Sequence, residues 1–220
     1  MSTLRIFVTG TDTGVGKTRA TATLARALAS LGRPPHILKA VQTGLPPGVA
    51  GDAAEAGALA GVEAAEIERY ALPADPFSAA LAAGLPPPRA ADLARALDRY
   101  PGDVVVEGAG GLLVPLNAEE TLADLALAAG LRLVLVVGLR LGCMNHALLT
   151  LEAAERRKLP VLGTILVACD APPGEAYLAD VERALQGKTK ILGILPHESP
   201  SASAIERDAA ALRVHLAPFL

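Results

Sequence analysis

Gly10-Thr11-Asp12-Thr13-Gly14-Val15-Gly16-Lys17-Thr18 is the stretch that decides the fold. It follows a short apolar run, Leu4 to Val8, which reads as a strand. It precedes Thr18 to Leu31, which reads as a helix with Leu24, Leu28 and Leu31 as its apolar positions and Gly32 as its stop. In a strand, Gly-rich loop and helix taken in that order, successive backbone N–H groups can wrap around phosphate oxygens, and the helix N-terminus adds positive potential. Gly14 and Gly16 permit the tight turns and the close approach. Lys17 is placed to reach β- and γ-phosphates, and Thr18 to offer its hydroxyl to Mg²⁺. The strict pattern G-x-x-x-x-G-K-[ST] would need Gly at position 11. Thr11 stands there, with Gly10 one residue earlier, so the loop is a variant.

Outward from the loop, short β-rich runs alternate with longer helical stretches. Ile37 to Val41, Asp103 to Glu107, Leu131 to Gly138, Val161 to Ala168 and Lys190 to Leu195 read as further strands. Their continuous Val/Ile/Leu character is that of strands buried on both faces. Helices are expected at Ala147 to Lys158, Gly174 to Leu185 and Ala202 to Leu216. The Ala-rich stretch Leu45 to Leu97, broken by Pro46-Pro47, Pro73, Pro76 and Pro86-Pro87-Pro88, reads as helices and connecting loops. The expected fold class is α/β: a P-loop NTPase-type, doubly wound, mainly parallel sheet with helices on both faces, as one domain over residues 1–220.

Composition agrees with that picture. Hydrophobic residues are 51 % and charged residues 20 % of 220, enough apolar surface for a sizeable core. The mean hydropathy of +0.39 reflects Ala, Leu and Val rather than a membrane span, since no uncharged apolar stretch reaches the roughly 20 residues a spanning helix needs. Arg132 and Arg140 bracket the most apolar run. A net charge of −3 argues against a nucleic-acid partner. The N-terminus has no apolar leader before Thr9, and two cysteines, Cys143 and Cys169, make no framework of bridges; a reducing, cytoplasmic setting is expected. Fifteen Arg against 5 Lys, with 2 Asn and 2 Gln, fit a heat-loving source or a GC-rich genome.

A phosphate loop needs an acidic residue at the end of a neighbouring strand to hold its metal. Val104-Val105-Val106-Glu107-Gly108-Ala109-Gly110-Gly111 supplies Glu107, where a buried carboxylate requires a metal or a cationic partner. Lys39, in Lys39-Ala40-Val41-Gln42-Thr43-Gly44, stands at the C-terminal end of a parallel strand, the position of the ligand crevice. Taken alone it reads rather as a solvated surface lysine. Asp52 is either a metal ligand or a helix N-cap.

Together these blocks resemble the dethiobiotin synthetase family. Gly10 to Thr18, Lys39 to Gly44, Glu107 to Gly111, Leu141-Gly142-Cys143-Met144-Asn145-His146-Ala147 and Asp170-Ala171-Pro172-Pro173-Gly174 occur in the family's order across nearly the whole chain. The Leu-Gly-Cys-x-Asn-His-Ala block is the most specific of them. The resemblance implies an ATP-dependent ligase. Carbon dioxide would add to one amine of 7,8-diaminononanoate, and the carbamate would attack the γ-phosphate of ATP. The second amine would then close a cyclic urea and expel phosphate. It implies Lys17 and Lys39 as catalytic cations, and Thr18, Asp52 and Glu107 as ligands of Mg²⁺ bound with ATP. Nucleotide contacts would come from Thr13, Gly14, Val15, Gly16, Lys17, Thr18, Asp52, Glu107, Gly108, Ala109, Gly110, Cys169, Asp170, Pro196, His197 and Glu198. Substrate contacts would come from Thr11, Thr43, Gly142, Cys143, Met144, Asn145 and Tyr177. It further implies a homodimer with the active site at its interface, the Leu141-to-Asn145 segment of one subunit facing the substrate carboxylate in the other. No side chain reads as a general base. Tyr177 reads also as an ordinary amphipathic-helix residue, and His146 as a packing or capping histidine.

One position departs from the family. An Asn usually precedes the Asp of the Asp170 block and reads the adenine edge; here Cys169 stands there, and a thiol is a poor donor and acceptor. Looser ATP binding, or use of other nucleoside triphosphates, is the expectation. Two other families share parts of the pattern. Amide synthases of the cobyrinate or cobyric acid type carry a similar loop and a Val-Glu-Gly-Ala-Gly-Gly-like strand. Partitioning and division-site switch ATPases carry a loop that favours Lys near its start, where this chain has Thr11 and Asp12.

Overall fold

The computed structural model describes residues 3–171 and 174–217. Met1-Ser2 of the leader reading and Pro172-Pro173 of the Asp170 block lie outside the described residues. The chain runs β1 (Arg5–Gly10), α1 (Lys17–Ser30), β2 (His36–Thr43), α2 (Asp52–Ala60), β3 (Ala64–Tyr70), α3 (Pro76–Ala82), α4 (Ala90–Leu97), β4 (Val104–Gly111), α5 (Leu122–Ala128), β5 (Arg132–Gly138), α6 (Cys143–Arg156), β6 (Val161–Val167), α7 (Glu175–Leu185), β7 (Ile191–Leu195) and α8 (Ala202–Leu216). The strands form one sheet in the order β3-β2-β4-β1-β5-β6-β7, and every pairing is parallel.

Alternate residues of the central strands point to opposite faces. Ile6, Val8, Val105, Val134 and Val136 pack against Leu24 and Leu28 of α1 and Leu212 and Leu216 of α8. Phe7, Val104, Val106 and Leu133 pack on the other face with Leu93 and Leu97 of α4 and Leu122 and Leu125 of α5. Farther along that face, Leu135, Val137 and Leu166 meet Cys143 and Ala147 of α6 and Val181 and Leu185 of α7. Each such fully buried side chain contributes roughly 1.5–3 kcal/mol, so the two layers hold the sheet from both sides.

Three expectations need correction. The Leu45 to Leu97 stretch contains β3, which was not expected there. Its sequence, Ala-Ala-Glu-Ile-Glu-Arg-Tyr, has no apolar run because it is a half-buried edge strand paired only to β2. Helix α5 was also not anticipated; at 7 residues it is too short for a periodic signal. Helix α6 begins at Cys143 rather than Ala147, because Gly142 serves as N-cap with φ +91°.

Candidate active site

The C-terminal ends of the parallel strands converge on one edge of the sheet, where ligands of doubly wound folds bind. The 10–16 loop leaves β1 there. Gly16 caps α1 with φ +85°, and a Cβ on it would lie 2.7 Å from Val167 Cγ1, so both dihedral and space demand glycine. The loop folds over its own lysine: Lys17 Nζ donates to the Asp12 carbonyl at 2.9 Å. Burial, reinforced by the neighbouring Lys39 charge, pushes the Lys17 amine down to about 8.

Register places the opposing charges. Lys39 of β2 sits directly across from Glu107 of β4, and Glu107 also pairs with Val8 of β1. Lys39 is 3 % and Glu107 0 % exposed. Lys39 Nζ donates to Glu107 Oε1 at 2.8 Å, to Asp52 Oδ2 at 2.5 Å and to the Gly108 carbonyl at 3.2 Å. Burial alone would lower the Lys39 amine, but the Glu107 and Asp52 carboxylates outweigh it and hold it above the ordinary lysine range. The Thr18 hydroxyl donates to Glu107 Oε1 at 3.1 Å. Glu107 Oε2 is buried with no hydrogen-bond partner among the described residues. An orphaned buried carboxylate oxygen is costly, and a cation relieves it. The donor set of one hydroxyl and two carboxylates is hard oxygen, which suits Mg²⁺. Among the described residues no group of three or more His, Cys, Asp and Glu side chains is placed to hold a metal unaided, so such an ion would draw its other ligands from phosphate and water.

Asp52 is not an N-cap. Gly51 occupies that position, and the Asp52 backbone N–H is satisfied by Gln42 Oε1 at 2.9 Å. The Asp52 carboxylate therefore stays free to meet Lys39.

These groups line a cleft of about 800 Å³. It brings together the anticipated Thr13, Gly14, Gly16, Lys17, Thr18, Lys39, Thr43, Asp52, Glu107, Ala109 and Gly110. It also recruits Leu45, Pro73, Ala74, Asp75 and Val114, which sequence reading did not single out. The Asp75-Pro76 pair is an N-cap signal, and α3 begins there, but nothing local says that it faces a cleft. Thr11 and Val15 do not line this cleft. Thr11 extends the β1–β5 pairing through its N–H to the Val136 carbonyl at 3.0 Å, and Val15 is buried in the core. Gly108 takes part only through the carbonyl that accepts from Lys39.

The remaining anticipated residues lie across the loop, at the ends of β5, β6 and β7. Cys169 is half-buried, its thiol pushed up by burial and by the Asp170 charge, with Sγ 3.5 Å from the Val167 carbonyl. His197 Nδ1 is 3.3 Å from the Ala168 carbonyl. The buried Arg19 guanidinium donates to the Pro196 carbonyl at 2.5 Å, to Glu198 Oε1 at 3.1 Å and to Asp208 Oδ2 at 2.6 Å. Gly142, Cys143, Met144 and Asn145 form the start of α6. The Tyr177 hydroxyl donates to the Arg140 carbonyl at 2.6 Å and lies 3.3 Å from Cys143 Sγ. Burial and the Cys143 contact push that phenol up to about 12. The Arg140 guanidinium in turn reaches Asp12 of the phosphate loop at 2.6 Å. None of the Gly142–Asn145 residues, nor Tyr177, lines the cleft within one chain.

Known proteins place this arrangement. A model of the AAA domain matches residues 4–204. An ATP-dependent dethiobiotin synthetase of Anaeromyxobacter dehalogenans is 46 % identical over 167 residues, 73 % of this chain and 75 % of that protein. One from Saccharopolyspora erythraea is 41 % identical over 98 % of this chain and 96 % of its own length. Among solved structures, the cell division ATPase MinD of Pyrococcus furiosus superposes with a TM-score of 0.60 at 17 % identity, over 98 % of this chain and 99 % of that one. At that identity the likeness is one of fold, and it establishes the parallel P-loop NTPase-type architecture.

Proposed function

The chain belongs to the AAA domain family and, within it, to the ATP-dependent dethiobiotin synthetases; from that premise we propose that its cleft closes a cyclic urea on a diamine. It is an ATP-dependent ligase that forms dethiobiotin from 7,8-diaminononanoate and CO₂. The observation that carries the assignment to this cleft is the Lys39–Glu107–Asp52 cluster beside the phosphate loop, with one Glu107 oxygen unpartnered.

An amine adds to CO₂ and gives a carbamate. A carbamate oxygen attacks the γ-phosphorus, ADP leaves, and a carbamic-phosphoric anhydride results. The second amine attacks its carbonyl carbon, the ring closes and phosphate leaves. Such chemistry needs placement and charge neutralisation rather than a protein nucleophile. The Thr13–Thr18 loop would cradle the phosphates. Lys17 would turn from the Asp12 carbonyl to a phosphate oxygen. Lys39 would face the carbamate, its charge secured by two carboxylates. Thr18, Asp52 and Glu107 would hold Mg²⁺, whose contribution there is neutralisation of the phosphate oxygens that receive charge. Thr43, on the cleft wall, is placed to bond the carbamate or an amine, and Thr11 would join it from the loop. Amine protons would pass to carbamate or phosphate oxygens.

The base would lie across the loop, among Cys169, Asp170 and residues 196–198. Residues 1–220 would act as one unit in the cytoplasm. Two chains would complete the site, with Gly142, Cys143, Met144, Asn145 and Tyr177 of the partner subunit receiving the substrate carboxylate at a helix start. The apolar surface beside that segment supports this reading: Leu141 is 93 %, Leu148 37 % and Leu149 56 % exposed. Among the described residues no helix is long and apolar enough to cross a membrane.

The test is a product assay with 7,8-diaminononanoate, bicarbonate, Mg²⁺ and ATP. Dethiobiotin and phosphate should appear one for one, stop on addition of EDTA, and come from a species sedimenting as two chains. Phosphate without dethiobiotin would move the reading to the switch ATPases. Unaltered turnover in EDTA would remove Mg²⁺ from it.

A further inference from the structure

Three carboxylates line the cleft: Asp52, Glu107 and Asp75. Lys39 is paired with the first two. Among the described residues Asp75 is in no ion pair; it caps α3, with its Oδ1 accepting from the Ser78 backbone N–H at 2.9 Å. The same cleft is also lined by Leu45, Pro73, Ala74 and Val114, which are apolar or small. Lys17 and Lys39 offer donors to phosphate and carbamate, with Asp52 and Glu107 balancing their charges, while Asp75 has no cation against it among the described residues.

We propose that Asp75 is a specificity-determining residue that anchors an ammonium group of the alkyl diamine. The inference rests on the ligase reading above. An alkyl diamine enters at neutral pH as a cation, and the Asp52 and Glu107 carboxylates are already engaged by Lys39. One fixed carboxylate with no cation already against it among the described residues would hold that charge and orient the amine that is not yet carbamylated. Burial would raise the Asp75 carboxyl, but hydrogen bonds from its own helix start outweigh it and hold it below the usual carboxylate range. It therefore acts as a fixed anion and not as the proton acceptor.

The alternative is that Asp75 only caps α3, and the chemistry of caps separates the two. Asn and Ser cap a helix about as well as Asp but carry no charge. Asp75→Asn and Asp75→Ser are compared with the wild-type chain by steady-state kinetics and thermal melting. If Asp75 anchors the ammonium, both variants keep the wild-type melting temperature and their KM for the diamine rises about threefold to fivefold. That is the range for one partly exposed ion pair. KM for ATP does not move. An unchanged diamine KM in both variants overturns the anchor while leaving the ligase reading intact. A loss confined to kcat, or one that follows a lowered melting temperature, overturns it equally. No dethiobiotin from the wild-type chain would remove the ligase reading and the anchor with it.

Discussion

Two buried cation–carboxylate networks meet the first turn of α1, and only one of them opens on the cleft. Lys39, 3 % exposed, holds Asp52 and Glu107; Arg19, 7 % exposed, holds Glu198 and Asp208. In charge, burial and distance they are alike. Each leaves one buried atom unpartnered, and they differ in whether that atom borders the cleft. The Arg19 guanidinium donates to two carboxylates and to the carbonyls of Pro196 and Glu198; its Nε is buried without a partner among the described residues, but none of Arg19, Glu198 and Asp208 lines the cleft. The Lys39 network leaves a Glu107 oxygen without a partner and borders Lys17, Thr18 and 800 Å³ of cleft. Buried charge therefore does not by itself mark a reactive site. Unused bonding capacity that faces a cavity does.

The difference can be broken from either side. Lys17→Ala, at the open network, should lower turnover by roughly a hundredfold to a thousandfold, as removal of one preorganised charge does. Because burial already disfavours the Lys17 charge, melting should stay level or rise. Residual dethiobiotin formation near the wild-type rate would take Lys17 out of the chemistry. Lys39→Met should cost both properties. Turnover should fall by a similar factor, and stability by about 3 kcal/mol, since Glu107 would remain buried and unpaired. Glu107→Gln in that background should recover the melting temperature but not the activity; recovery of both would dissolve the distinction between the networks.

The closed network should answer in stability alone. Arg19→Met leaves the buried Asp208 with only the exposed Arg207, 3.6 Å away, so about 3 kcal/mol should be lost, a fall of roughly 6–12 °C in calorimetry. Turnover at saturating ATP should remain within about twofold. A hundredfold loss would show that Arg19 belongs with the reacting groups. The smallest effect should be at Cys169. Replacing the thiol by an amide in Cys169→Asn should raise the ratio of ATP to CTP and GTP turnover by a few-fold, with dethiobiotin yield as readout. An unchanged ratio would show that position 169 does not read the base.

Legibility in the sequence followed locality. The 10–18 loop could be read because its glycines, lysine and threonine are consecutive and its flanking strand and helix have the right periods. Val104 to Val106 announced a central strand because burial on both faces demands a continuous apolar run. Strand β3 gave no such sign, since an edge strand carrying Glu66, Glu68 and Arg69 need not be apolar. Helix α8 spans the expected Ala202 to Leu216, and in the structure Ser201 caps it by accepting from the Ala204 N–H. Asp75 passed unnoticed because its cap is local but its place on the cleft wall is not.

The sequence by itself determined the residue types and their periods: a parallel sheet covered on both faces, a phosphate loop after its first strand, and an acid and a lysine at strand ends. Only the tertiary structure decided which charge meets which. Lys39 and Glu107 are 68 residues apart and face each other through the register of β2 against β4; Arg19 and Asp208 are 189 apart and meet because α1 and α8 pack on one face. Period and composition act within a turn or a strand, whereas pairing across a sheet is set by the packing of every element at once. That packing made one buried network a closed brace and the other an open site.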